Sequence, residues 1–215
     1  MKRGILFLMV FGAAAALFAQ VNLPEHRFAS GSWSVSGQRL YQTDAKARLA
    51  KLNIRVPQNG PMVYEFTARY ESGADDGHGG FGLHIFGDKV LNAASWGSGN
   101  SYLLWLNYDE NPIDKKNIPA GLSAQVYRSY TDSRMELIQS YDLNNYAPLL
   151  TSDNLAQPVY FKIWADGNTG EVRVYDPADA SGESWYSLNL DRKDLPLKGN
   201  WVALRTNGIG LSFTD

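Results

Sequence analysis

Residues 159–175 read VYFKIWADGNTGEVRVY, and this stretch decides the fold. Val159, Phe161, Ile163 and Ala165 alternate with Tyr160, Lys162, Trp164 and Asp166, and Val172 and Val174 alternate with Arg173 and Tyr175. Between the runs stands Asp166-Gly167-Asn168-Thr169-Gly170, a turn signal. Period-two alternation sends one set of side chains into a core and the other outward, so the stretch predicts two strands joined by a turn.

The same reading extends in both directions. Met62, Tyr64, Phe66, Ala68 and Tyr70 alternate with Val63, Glu65, Thr67, Arg69 and Glu71. Phe81, Leu83 and Ile85 alternate with Gly82, His84 and Phe86, and Ile209, Leu211 and Phe213 with Gly210, Ser212 and Thr214. Residues 101–108, SYLLWLNY, are more uniformly apolar and predict a central strand whose second face is also partly covered. Turns are expected at Pro57 to Pro61, Asp75 to Gly80, Gly97 to Asn100 and Gly199-Asn200. Leu143 to Leu150 reads as a helical turn or loop, and Asp109 to Pro119, with Lys115-Lys116, as an exposed loop. Many strands at short intervals with Gly, Asn and Asp turns predict an all-β chain folded as a two-sheet antiparallel β-sandwich.

The N-terminus is read differently. Lys2 and Arg3 precede an apolar run from Gly4 to Ala19, and Leu17-Phe18-Ala19 sets a small residue at a cleavage point before Gln20. That is the pattern of a secretory signal peptide, too short for a membrane span. The expected organisation is a leader over residues 1–19 and one domain over 20–215, in the periplasm or secreted, with no membrane insertion after cleavage. The 20 Lys+Arg and 22 Asp+Glu give a net charge of −2, which becomes −4 once the two leader cations are gone. A mildly acidic chain with no basic run argues against nucleic acid and anionic membranes as partners. There is no cysteine, so thiol nucleophiles, redox pairs and Cys metal sites are excluded, and the core must hold without disulfides.

The order of the segments carries a resemblance. Trp33-Ser34-Val35-Ser36-Gly37 and Arg39-Leu40-Tyr41-Gln42 stand near the start, followed by GGFGLHIF at 79–86 and SYLLWLNY. The hairpin of 159–175 comes late, then WVALRTNGIGLSF at 201–213, the most specific part. The chain resembles the concanavalin A-like lectin/glucanase superfamily, including its laminin-G-like members. The resemblance implies a curved, concanavalin-like jelly roll with a ligand on its concave face. It transfers no activity.

With the apolar parity inside, Glu65, Arg69, Glu71, His84, Trp105, Asn107, Gln125, Tyr127, Lys162 and Trp164 point outward. A sugar site needs flat aromatic faces beside hydrogen-bonding side chains. Trp105, Trp164 and Tyr127 are therefore the expected stacking residues, with Asn107, Arg69, Glu65 and His84 as polar contacts. The bland alternative puts both tryptophans beneath a covering loop. Trp96 either overhangs a cleft or caps the sandwich end, and Arg205 is expected in a structural ion pair. Asp75-Asp76-Gly77-His78 offers too few oxygens for calcium on its own and reads first as a hairpin tip. No cofactor is expected, with calcium kept as an alternative.

Catalysis finds little support. The glucanase E-x-D-x-x-E arrangement is absent. Glu65 and Glu71 share a face but lie roughly 20 Å apart along an extended strand, beyond the roughly 5–9.5 Å of paired glycosidase carboxyls. There are three histidines, and no Gly-x-Ser-x-Gly or His-Glu-x-x-His motif. The expected function is a non-catalytic module that binds carbohydrate or an envelope protein. Two alternatives remain: a periplasmic structural protein, such as a flagellar sheath or outer-layer component, and a sugar-active hydrolase or lyase.

Overall fold

The computed structural model describes residues 23–145, 157–179 and 182–214. The leader and most of Leu143 to Leu150 lie outside the described residues. The strands are β1 (His26–Ser30), β2 (Trp33–Ser36), β3 (Arg39–Gln42), β4 (Ala50–Asn59), β5 (Pro61–Gly73), β6 (His78–Gly87) and β7 (Ser101–Asp109). They continue with β8 (Gly121–Ser129), β9 (Met135–Asp142), β10 (Val159–Asp166), β11 (Glu171–Tyr175), β12 (Ser184–Asn189), β13 (Lys198–Asn207) and β14 (Ile209–Thr214). Among the described residues, no helix is long and apolar enough to cross a membrane.

The strands form two seven-stranded antiparallel sheets. The first runs β1-β4-β13-β6-β7-β8-β9 and the second β12-β11-β10-β5-β14-β3-β2. The two-sheet sandwich expected from the sequence is what forms. The expected core parity also holds: Tyr64, Phe81, Leu83, Ile85, Leu104, Val126, Phe161 and Ile163 are buried between the sheets, with Phe66 and Leu106 packed against them. Phe81 is central, its ring 5.3 Å from that of Phe161 and 6.3 Å from that of Phe213.

Two glycines let the chain change sheets in one residue. Gly60 (φ +70°) separates β4 from β5, and Gly208 (φ +67°) separates β13 from β14. Both sit in the left-handed region that side chains with a Cβ avoid. The expected loop from Pro57 to Pro61 is therefore strand on either side of Gly60, because proline is tolerated where no ladder bond is needed. Likewise His78 and the glycines after it belong to β6, which leaves Asp75 to Gly77 as the turn.

Polar pins register one sheet on the other. Gln58 of β4 accepts from the Tyr64 hydroxyl (2.7 Å) and from the Phe86 amide (2.7 Å), and donates to the Trp201 carbonyl (2.9 Å). Gln42 of β3 donates to Thr206 Oγ1 of β13 (2.9 Å). Tyr141 of β9 stacks on Tyr186 of β12 at 4.7 Å and donates to the Ser187 carbonyl. The bonds of Gln58 to Trp201 and of Gln42 to Thr206 hold β13, on which the candidate site is built.

Truncating the core and trimming the outside should differ sharply. Phe81→Ala is expected to lower the unfolding free energy by about 3–5 kcal/mol. Val63→Ser, at a position 50 % exposed, should change it by no more than about 0.5 kcal/mol. Urea unfolding of both variants measures the contrast. Equal losses would contradict the assignment of inner and outer faces.

Candidate functional site

The outer face of the first sheet departs from a usual solvated surface. Register places Gln125, Trp105, Gly82, Arg205 and Lys51 in one row across β8, β7, β6, β13 and β4. The next row holds Tyr127, Leu103, His84, Ala203 and Asn53. All of these but Tyr127 are buried, although they point away from the core. The sequence shows why the indole fits: a Cβ on Gly80 would meet Trp105 Cζ2 at 2.5 Å, so the glycines of GGFG clear space for the ring.

A covering segment, residues 88–100, accounts for part of this burial. Lys51 Nζ donates to the Ser95 carbonyl (3.0 Å), Ser95 Oγ (2.8 Å) and the Gly97 carbonyl (2.6 Å). Arg205 donates from Nη1 to the Trp96 carbonyl (2.8 Å). Its guanidinium carbon lies 4.8 Å from the Trp96 ring centre and 5.1 Å from that of Trp105, so the cation sits between two indoles. Trp96 is 46 % exposed and meets Tyr127 edge-on at 6.3 Å. The Tyr127 hydroxyl donates to Gln125 Oε1, Gln125 donates to Ser123 Oγ, and Trp105 Nε1 donates to Asn107 Oδ1.

The electrostatics follow from burial. Among the described residues, neither Lys51 nor Arg205 has a carboxylate within ion-pair distance. Asp132, which acts on Lys51 through space, is engaged with Lys89 at 3.2 Å and with the Gly99 amide. Burial, and then the Arg205 charge, pull the Lys51 ammonium down to about 7. Burial lowers Arg205 to about 10, which leaves it charged at neutral pH. His84 is held well below its ordinary value by burial and by the charges of Lys51 and Arg205, so its ring is neutral. Its Nδ1 is 3.0 Å from Ser101 Oγ.

The expected site residues divide between two faces. Trp105, Tyr127, Asn107 and His84 share the outer face of the first sheet. Trp164, Arg69 and Glu65 stand on the outer face of the second, across the whole sandwich. There Arg69 pairs with Glu71 (2.7 Å), Glu65 accepts from the Tyr160 hydroxyl (2.6 Å), and Arg173 lies over the Trp164 ring at 5.4 Å. The seven residues therefore cannot meet one ligand together. Strand parity is local, whereas sheet membership depends on pairing between distant strands. Trp105 is buried, at 6 % exposure, as the alternative of a covering loop and the partly covered second face of SYLLWLNY expect, and His84, a candidate polar contact, is buried too, at 1 %.

Arg205 was expected in an ion pair and instead stacks between indoles. Trp96, left open between two roles, overhangs the face. Lys51 and Asn53 also belong to this face, and the alternation of Leu52, Ile54 and Val56 with Lys51, Asn53 and Arg55 carries the period-two signal for it. Along β4, β13, β6, β7 and β8, Asp109 is the one carboxylate among the described residues on this face, and it contacts His78 Nε2 at 3.0 Å. Among the described residues, no three His, Asp or Glu side chains gather as a metal would require. An apolar crevice between the sheets, beside Phe66, Leu106 and Trp185, measures about 30 Å³. That is room for a water or two and not for a sugar ring.

The chain has the concanavalin A-like jelly-roll fold. It is similar to a galectin-like protein of unknown function from Bacillus subtilis (TM-score 0.53, 12 % identity, covering 89 % of this chain and 86 % of that one). It is similar to the CBM2 module of the evolved Dit of Lactobacillus casei BL23 phage J-1 (0.50, 10 %, 89 % and 80 %). It is also similar to a legume lectin-like domain from Entamoeba histolytica (0.50, 9 %, 88 % and 85 %). No family model and no curated protein sequence matches the chain.

Lys51 provides a test of the burial. Its folded value lies below the unfolded 10.5, so between about pH 7 and 10.5 the unfolded chain binds more protons at this residue. Its contribution to stability therefore rises with pH through that window, by up to about 1.4 kcal/mol per unit, and is flat below it. The stability of wild type relative to Lys51→Met, measured in urea, should increase by up to about 2 kcal/mol between about pH 7.5 and 9. A constant difference would mean that Lys51 titrates as a solvated lysine.

Proposed function

We propose that this chain is an exported, non-catalytic module that recognises carbohydrate on the outer face of its first sheet. The observation that carries the reading is the stack of Trp96, Arg205 and Trp105 beside Tyr127. It sets a half-exposed aromatic edge on the face that also carries the half-buried amide of Asn107. Aromatic rings take the apolar faces of sugars, and amides take their hydroxyls. The similar structures include a CBM2 module and a legume lectin-like domain, which supports the same class. The apolar leader over residues 1–19 supports export. With one carboxylate along the inner strands of this face, a paired-carboxylate hydrolysis has no place there. No cofactor enters the reading.

A second reading has its own observation. β9 is an edge strand whose Ile138 is 40 % exposed, and Tyr130 at its entry is also 40 % exposed. An edge of this kind suits an envelope protein added as a strand. Concentration-dependent assembly in sedimentation would favour it.

The test is a glycan array of the chain from Gln20, with calcium and then with chelator, followed by fluorescence titration of the hits. Equal binding in both conditions is expected. Trp96→Ala should weaken binding about two- to tenfold, corresponding to about 0.5–1.5 kcal/mol for an aromatic contact, while Trp164→Ala leaves it unchanged. An empty array, or sensitivity to Trp164 alone, would overturn the proposal.

A further inference from the structure

Three side chains on the outer face of the first sheet are at least 98 % buried, and each keeps a polar atom without a partner: Asn53 Oδ1, His84 Nε2 and Arg205 Nε. Register makes them neighbours. Ala203 pairs with His84 on one side and Asn53 on the other, and Arg205 follows two residues along β13, between Gly82 and Lys51. The floor between these groups is thus the methyl of Ala203 and the bare backbone of Gly82. Buried polar atoms are almost always paired, so three orphans around one floor point to a missing occupant.

The orphans define what that occupant must offer. Arg205 Nε is a donor on a permanent cation and calls for an acceptor, best an anionic one. Asn53 Oδ1 calls for a hydroxyl or amine donor. His84 Nε2 accepts or donates according to its tautomer, and a hydroxyl serves both. Lys51 adds a second cation whose partners are the carbonyls and hydroxyl of Ser95 and Gly97. A neutral sugar leaves the Arg205 cation without a counter-ion. Sulfate or a halide leaves Asn53 without a donor. A ring that carries a carboxylate beside its hydroxyls meets all of these requirements.

We propose that the outer face around Ala203 is a subsite for the carboxylated ring of an acidic saccharide, a uronic acid unit, and that residues 90–96 are the lid that uncovers it. This rests on the carbohydrate reading and names its ligand class. The far end of the lid is fixed: the Gly97 amide donates to the Asp132 carbonyl, Ser98 N to Ser129 Oγ, and Gly99 N to Asp132 Oδ1. Within the lid, Ser95 is held by Lys51 and Trp96 by Arg205, the two basic groups a ligand carboxylate would engage. Ligand binding and lid release therefore compete for the same donors.

The experiment is calorimetric titration of the chain from Gln20 with oligogalacturonate, oligomannuronate and hyaluronan oligosaccharide, each beside its methyl ester. Dextran sulfate serves as an anionic saccharide without carboxylates. At least one acid should bind tenfold or more tighter than its ester, and Arg205→Met should abolish that preference. Trp164→Ala, on the opposite sheet, should preserve it. Because the comparison of acid with ester needs only the wild type, a variant that fails to fold leaves the result readable. Equal binding of acids and esters, or of neutral glycans alone, overturns the acidic subsite and spares the carbohydrate reading. Equal binding of dextran sulfate overturns the carboxylate assignment. No binding by these saccharides or by any glycan of the array overturns both.

Discussion

Two cations, Lys51 and Arg205, are buried on the outer face of a sheet with carbonyl oxygens and indole rings for company, and the rest of the candidate site depends on this arrangement. A buried charge is tolerated only where its donors are occupied. Lys51 meets that demand with three bonds into the segment that covers it, and Arg205 with one bond and two ring faces. The cover is therefore held to the sheet mainly by charge-assisted bonds at this point. Below Lys51 and Arg205 the sheet is dry on both sides: Leu52 and Leu204 face the core while their strand neighbours lie under the segment. This also explains why SYLLWLNY lacks a clean polar phase. Leu103 and Trp105 are outward but covered.

Legibility in the sequence follows the range of the interactions. The core parity of Tyr64, Phe81, Leu104, Phe161 and Ile163 is a property of single strands, and period-two alternation reveals it directly. So is the outward direction of Trp105, His84 and Tyr127. Which strands share a sheet is not local. β13 inserts between β4 and β6, which precede it by more than a hundred residues, and β10 pairs with β5. Trp164, Arg69 and Glu65 were for this reason grouped with residues that lie on the other side of the sandwich. Lys51 and Asn53 carry a local signal in the alternation of Leu52, Ile54 and Val56, but nothing in β4 itself marks its outer face as covered. The burial of His84 and Trp105 depends on a glycine- and serine-containing segment with no periodicity of its own.

The fold itself separates two roles. The second sheet turns outward a set of short-range ion pairs, Arg69 with Glu71 and Arg173 with Glu171, in which each charge is matched within its own strand. Such pairs contribute little, although Thr67 Oγ1 on the same face is buried without a partner. The first sheet turns outward unmatched cations and unpaired polar atoms under a cover. Chemistry available to a ligand is thus concentrated on one face, although aromatic residues occur on both.

The central claim is that this one face receives the ligand. Hydrogen–deuterium exchange, with and without the tightest-binding saccharide of the array, tests it without any substitution. The account expects altered exchange in residues 88–100 and along β6 and β13, with β5 and β10 unchanged. A change confined to β5 and β10 would place the ligand on the opposite sheet and contradict it.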